Sequence, residues 1–365
     1  AIPDPSGKPV LRPVYIEPEM IGHALPWDVY TETGVLVAPA GAVIADERHY
    51  LNLTERLLFR DAGALDNGEN PLLRLSEMGE EAEEILTAPE PERLTELLEG
   101  LLSVYDADPD ACLGYVLRVP LARPSVRHSL HVLFVAVSLA QHLDFGEAEQ
   151  LSLAGAALTM NLGALDLHDS LYGRRGPPLV TDRETLQSHP LRAAELLDGA
   201  GIDDETWLES VRQHHENVDG SGYPAALAGA DIGKGARILR VADIYCAKVT
   251  GRYYRPPRSP RYALEEIFGS ERRCLDAMVT NVLLRRMGIY PPGTLVRLAN
   301  FERACVARRV RDGVVRRVVS FLDAHDMPMD PPRERNVTRR ATAIRGFVEE
   351  ERRWPRINWP AVWGY

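Results

Sequence analysis

The feature that most limits what this chain can fold into is a succession of apolar-periodic segments between residues 124 and about 287. HSLHVLFVAVSLAQHL, EAEQLSLAGAALTMNLG, DRETLQSHPLRAAELLDG, DETWLESVRQHH and GARILRVADIYCAKVTGRYY each repeat apolar residues at intervals of three and four, the spacing of one helix face. Loops rich in Gly, Pro and Asp separate them. Stripes of this kind are buried by packing helix on helix, so the middle of the molecule is expected to be a helical body. The flanks read differently. From residue 21 to about 57, WDVY and VLVAPAGAVI look like short strands, punctuated by Pro39 and Gly41. Residues 71–118 return to helical spacing, with Leu94, Leu97, Leu98, Leu101 and Leu102 on one face, and DADPD at 106–110 marks a break and a new N-cap. Beyond Tyr290, PPGTLVRLAN, ERACVARRV and GVVRRVVSFLDA switch to Val-rich alternation, and the tail after Pro331 is polar with Trp354, Trp359 and Trp363. The expected class is mainly α in four parts: a small β-rich unit (1–70), a helical connector (71–123), a helical domain (124–290), and a β-like C-terminal extension and tail (291–365).

With 365 residues, 45% hydrophobic and 26% charged, the chain can build a core without disulfide staples. Its four cysteines, Cys112, Cys246, Cys274 and Cys305, form no CxxC pair, which excludes a zinc ribbon or thioredoxin-like motif and suits a reducing compartment. A net charge of -11 argues against gripping a nucleic acid polymer or an anionic membrane by bulk electrostatics, so a phosphate-bearing ligand would be caught locally. No run approaches the roughly 18–20 apolar residues of a membrane span, and residues 1–13 lack a signal-peptide core. The expectation is a cytoplasmic protein.

Most of the ten histidines fall in the helical body. His128 opens an apolar helix, His189 sits in SHP, and His214-His215 end a helix before ENVDGSGYP. Asp243 lies among Val241, Ala242 and Ile244, where a carboxylate is costly unless paired, hydrogen-bonded or bound to metal. Each taken alone has a plain explanation: a capping or packed histidine, or an aspartate satisfied by Arg240 or Arg237. Together, imidazoles and a carboxylate on separate helices suit a transition metal such as Fe, Mn, Zn or Ni.

HHENVDGSGYP, read with HSxxV at 128–132, SHP at 188–190 and ARILRVADIYCAKVTGRYYR at 236–255, resembles the HD-GYP family of HD-domain phosphohydrolases, which hydrolyse cyclic di-GMP. The resemblance spans roughly residues 124–290 and implies an HD-type helical domain. It implies metal ligation by His128, His189, His214, His215 and Asp243, and phosphate contacts from Arg252 and Arg255. It also implies a loop, Asp219, Gly220, Gly222, Tyr223 and Pro224, tied to recognition and to GGDEF-domain partners. The two glycines and Pro224 equally suit a purely structural turn. A second copy of the chain is a further candidate partner.

One departure matters. Where the family carries HDxGK, this chain has Met160-Asn161-Leu162-Gly163-Ala164, so His, Asp and Lys are all replaced. Pro124 stands where some members have an extra Glu, which excludes a trinuclear centre. One implied metal site keeps only His128 and Asp243; the other keeps His189, His214 and His215. His168-Asp169 spells the lost dipeptide eight residues late and is read as chance. A two-metal phosphodiesterase holds its cations about 3.5–4 Å apart, and a bridging carboxylate offsets their repulsion. Asn161 is neutral and Met160 offers a soft thioether. Hydrolysis is therefore expected to be absent or severely impaired, with ligand, metal or partner binding remaining. The alternatives are an active phosphodiesterase with one metal on the three histidines, and an interaction scaffold with a vestigial pocket.

Overall fold

The computed structural model describes residues 11–14, 16, 20–25, 27–31, 33–54, 58–61, 70–174, 176, 178–251, 257–309, 315–351 and 354–365. The chain divides into two compact units, Ala1–Leu73 with Pro360–Tyr365, and Arg74–Trp359.

In the first unit, β1 (Leu11–Val14), β2 (Val29–Tyr30), β3 (Leu36–Ala38) and β4 (Leu58–Asp61) form an antiparallel sheet in the order β1-β4-β2-β3. Val29, Ile44, Tyr50, Leu53 and Leu58 share its core. The expectation of strands up to residue 57 fails at ERHYLNLT, which is helix α1 (Glu47–Thr54). Asp46 accepts from the backbone N–H of His49 at 2.7 Å, an N-cap, and Tyr50 and Leu53 fall three apart on the buried face.

The second unit begins within α2 (Pro71–Thr87), at Arg74, and continues with α3 (Pro91–Ala107) and α4 (Pro109–Arg118). DADPD is the break between the last two, and Asp108 caps α4 by accepting from Ala111 N at 3.0 Å. α5 (Pro124–Ala140) is the axis of the unit: Leu130 and the residues from Val132 to Val137 are wholly buried, as a helix apolar all round must be. Around it come α6 (Glu147–Thr159), α7 (Leu165–Gly173), α8 (Val180–Gly199), α9 (Glu205–Gln213), α10 (Lys234–Thr250), α11 (Pro260–Phe268) and α12 (Ala277–Met287). Gly155 lets α9 approach α6 closely, since a Cβ there would come within 2.6 Å of the Trp207 ring. Trp207 also donates from Nε1 to Thr159 Oγ1 at 2.8 Å, which ties the first turn of α9 to the last residue of α6.

The Val-rich C-terminal stretch forms a second antiparallel sheet from β5 (Thr294–Leu298), β6 (Arg303–Val306), β7 (Arg317–Leu322), β8 (Pro328–Asn336) and β9 (Ile344–Phe347), in the order β8-β7-β6-β5-β9. Two ion pairs, Arg308 with Asp108 and Arg309 with Asp110, tie the segment after β6 to the start of α4. No described helix is long and apolar enough to cross a membrane.

Candidate metal centre

His189 lies inside α8 and is followed by Pro190. Proline has no N–H, so the Leu186 carbonyl four residues back lacks its helical donor. The His189 ring takes that carbonyl instead, Nδ1 to Leu186 O at 2.7 Å. His214 is the C-cap of α9, where the last carbonyls also lack helical partners. Its Nδ1 meets Val211 O at 2.7 Å. A carbonyl only accepts, so both rings donate from Nδ1 and keep their lone pair on Nε2.

Those two Nε2 atoms stand 3.1 Å apart. Lone pairs facing at that separation repel unless a proton or cation lies between them. Two imidazole nitrogens on one cation, each bonded at about 2.1 Å with an angle of about 90–109°, would be about 3.0–3.4 Å apart. The spacing fits a shared metal. The His215 ring completes the cluster, 4.2 Å from that of His214 and 5.0 Å from that of His189 by centroid. One ligand atom from each histidine falls within 4.8 Å of the others, the only such trio of His, Cys, Asp or Glu among the described residues. Burial pushes all three imidazoles below their ordinary range, His214 to about 3, and neighbouring imidazoles add to this at His214 and His215. They are neutral at pH 7, the form that binds metal.

The other two sequence-predicted ligands meet each other. His128 on α5 and Asp243 on α10 share a hydrogen bond, Nε2 to Oδ1 at 2.8 Å. Burial alone would raise the Asp243 carboxyl, but the His128 hydrogen bond and charge, with His215 and Arg240 nearby, hold it well below the usual range. Neither nearby arginine bonds to it: Arg240 turns to Asn217 Oδ1 (2.9 Å) and His215 Nδ1 (3.1 Å), and Arg237 to Asp276 (3.1 Å). The five predicted ligands thus separate into a trio and a closed pair.

Met160 and Asn161 end α6 fully buried and 3% exposed, respectively. The turn that follows, Leu162–Ala164, rests on α8, where a Cβ at Gly163 would lie 2.6 Å from the His189 carbonyl oxygen. The Asn161 carboxamide makes no hydrogen bond among the described residues.

The DGSGYP loop is stapled from within. Glu216 accepts from Ala225 N (2.7 Å) and Leu227 N (3.0 Å), and Asp219 from Ser221 N (3.1 Å) and Oγ (2.6 Å). Gly220 adopts φ +77°, and a Cβ at Gly222 would lie within 2.6 Å of the backbone at residues 215–217. The Tyr223–Pro224 peptide is cis. Tyr223 links the loop to the cluster, its ring stacked on His215 at 4.7 Å.

Sequence reasoning missed Glu216 and Asn217 here and gave Arg240 and His168 other readings. Glu216, Asn217 and Arg240 hold the loop and His215, and the signal for Arg240 was its position three before Asp243 on one helix face. His168 sits on α7, a helix absent from the sequence reading. Its ring meets His189 edge-on at 5.8 Å, and with His128, Ser125, Tyr172 and Thr250 it lines a cavity of about 30 Å³. Its neighbour Asp169 serves the start of α5, accepting from Ser125 N (2.7 Å) and Oγ (3.0 Å). Arg252 and Arg255 lie outside the described residues.

Residues 117–279 match the HD domain family. The cyclic di-GMP phosphodiesterase PA4108 of Pseudomonas aeruginosa is 26% identical over 206 residues, 56% of this chain and 49% of that one. The cyclic di-GMP phosphodiesterase response regulator RpfG of Xanthomonas campestris pv. campestris is 30% identical over 155 residues, 41% of this chain and 40% of that one. The chain therefore spans half or less of these relatives' lengths. Among solved structures, Bd1817, a HDG"Y"P protein from Bdellovibrio bacteriovorus, shares the fold with a TM-score of 0.51 at 16% identity, over 74% of this chain and 98% of that one. The helical body of this chain thus matches an HD domain and is similar in sequence to these cyclic di-GMP phosphodiesterases.

Proposed function

We propose that this is a cyclic di-GMP signalling protein whose HD domain keeps a histidine metal site and has lost all or nearly all phosphodiesterase activity. The observation that carries the reading is the division of the pocket. His189 and His214 face each other across a gap that suits one cation, with His215 beside them, whereas His128 and Asp243 close on each other; Met160-Asn161, both buried, replace in the sequence the His-Asp pair that would bridge two metals. Without a bridging carboxylate, nothing offsets the repulsion of a second cation, and in-line attack on a phosphodiester loses half its clamp. Binding asks less of the site than cleavage, because one cation and fixed hydrogen-bond donors suffice to hold a phosphate. The imidazole donors suit Fe, Mn, Zn or Ni. The names of the curated relatives support cyclic di-GMP as the ligand. A GGDEF-domain protein docking on the DGSGYP loop would be coupled to the cluster through Tyr223. A reducing cytoplasm suits the four free cysteines.

The test is calorimetry and product chromatography on the full chain loaded with Mn²⁺, with cyclic di-GMP as ligand. Binding without linear product is expected. Turnover that vanishes in His214→Ala would overturn the inactive reading and favour a one-metal hydrolase on the three histidines. Absence of both metal and nucleotide binding, with partner capture lost in Tyr223→Ala, would favour a scaffold.

A further inference from the structure

His215 differs from the other two histidines in what faces its Nδ1. A backbone carbonyl accepts from Nδ1 in His189 and His214, but in His215 the partner is Arg240 Nη1 at 3.1 Å. A guanidinium only donates and stays charged. The Nδ1 lone pair of His215 is therefore engaged, and the proton of its neutral ring is on Nε2. A nitrogen that carries a proton is no metal ligand. Arg240 cannot swing aside freely, because its Nε donates to Asn217 Oδ1 at 2.9 Å. Asn217 is held in turn by donating to Ser221 Oγ at 2.9 Å, and Ser221 donates to Asp219. The remaining N–H groups of Arg240, both of those on Nη2 among them, have no acceptor among the described residues, and the side chain is half-buried.

We propose that Arg240 withdraws His215 from the metal set and forms with it a clamp for an anionic phosphate oxygen. The metal set is then His189 and His214, and the clamp is the His215 Nε2–H with the free face of the guanidinium. Arg240 thereby supplies in the pocket the fixed positive charge that a second metal would otherwise bring, and it does so without a bridging carboxylate. The phosphate's identity rests on the functional reading above; the tautomer and the metal count do not.

Long-range ¹H–¹⁵N spectra of the full apo chain read the tautomers directly. The proton is expected on Nε2 in His215 and on Nδ1 in His189 and His214. Titration with Zn²⁺ should shift Nε2 of His189 and His214 and spare His215. By chelator competition, His215→Gln should change Zn²⁺ affinity less than about twofold, against a loss of about 10–100-fold in His214→Gln. Arg240→Gln should raise Zn²⁺ affinity, as His215 joins the set, and weaken inorganic phosphate binding. A His215 proton on Nδ1, or equal Zn²⁺ losses in His215→Gln and His214→Gln, would overturn the proposal. So would a wild-type protein that binds no phosphate or an Arg240→Gln protein that binds it as well. If phosphate binds through Arg240 and cyclic di-GMP does not, the clamp stands and the functional reading fails.

Discussion

The two side-chain groups both rest on histidine and reach opposite states. In one, His189 and His214 pass their Nδ1 protons to carbonyls left open by Pro190 and by the end of α9, and their Nε2 lone pairs face inward at 3.1 Å. In the other, Nε2 of His128 is taken by Asp243 at 2.8 Å. Whether a histidine is ready to bind metal is thus decided by what holds its second nitrogen and by what competes for the first. Under the proposed function, want of a bridging pair would leave one half poised and let the other satisfy itself.

The comparison breaks most completely in the double substitution Met160→His with Asn161→Asp. If the His128–Asp243 half is idle only for want of a bridge, elemental analysis should find a second equivalent of metal, and cyclic di-GMP hydrolysis should rise by orders of magnitude. Separate alanine substitutions should sharpen it. Zn²⁺ affinity by chelator competition should fall up to about 100-fold in His214→Ala and stay within about threefold in His128→Ala. Asp243→Asn takes the charge out of the hydrogen bond with His128 and should lower the urea-unfolding free energy by about 1–2 kcal/mol while sparing Zn²⁺ binding. Gly163→Ala forces a methyl against the His189 carbonyl and should cost about 1–2 kcal/mol by the same measurement.

The smallest effect concerns pH. Burial first, then the neighbouring His128, lowers His131 from its ordinary 6.5 to about 3. Below pH 6.5 the unfolded chain takes up a proton that the folded ring refuses, so stability is full above that value and falls as the pH drops. Between pH 7 and 6 this one group should contribute a loss of about 0.7 kcal/mol, absent in His131→Phe. Urea titrations at the two pH values measure it.

Periodicity made the helical body legible, since α5, α6, α8, α9 and α10 fall on the segments that showed it. The five candidate ligands were picked out because their neighbours gave them unusual settings: an apolar helix around Asp243, a proline after His189, a glycine-rich loop after His215. What escaped was partnership. Arg240 and Asp243 share a helix face, so sequence alone favoured a pair; the turn at 214–217 instead brings His215 and Asn217 to the guanidinium. α7 and α1 lie outside the segments that showed that periodicity, and each buries only two residues on its apolar side. His168, on the first of them, was therefore read as a chance neighbour of Asp169 and not as a neighbour of His189.

The interruption of α8 at Pro190 has a consequence for rates. An imidazole in solution samples both tautomers, and a metal ion meeting the wrong one must wait for the proton to move. Because the carbonyl freed by proline fixes the His189 proton on Nδ1, a cation arriving at Nε2 displaces no hydrogen from that ring.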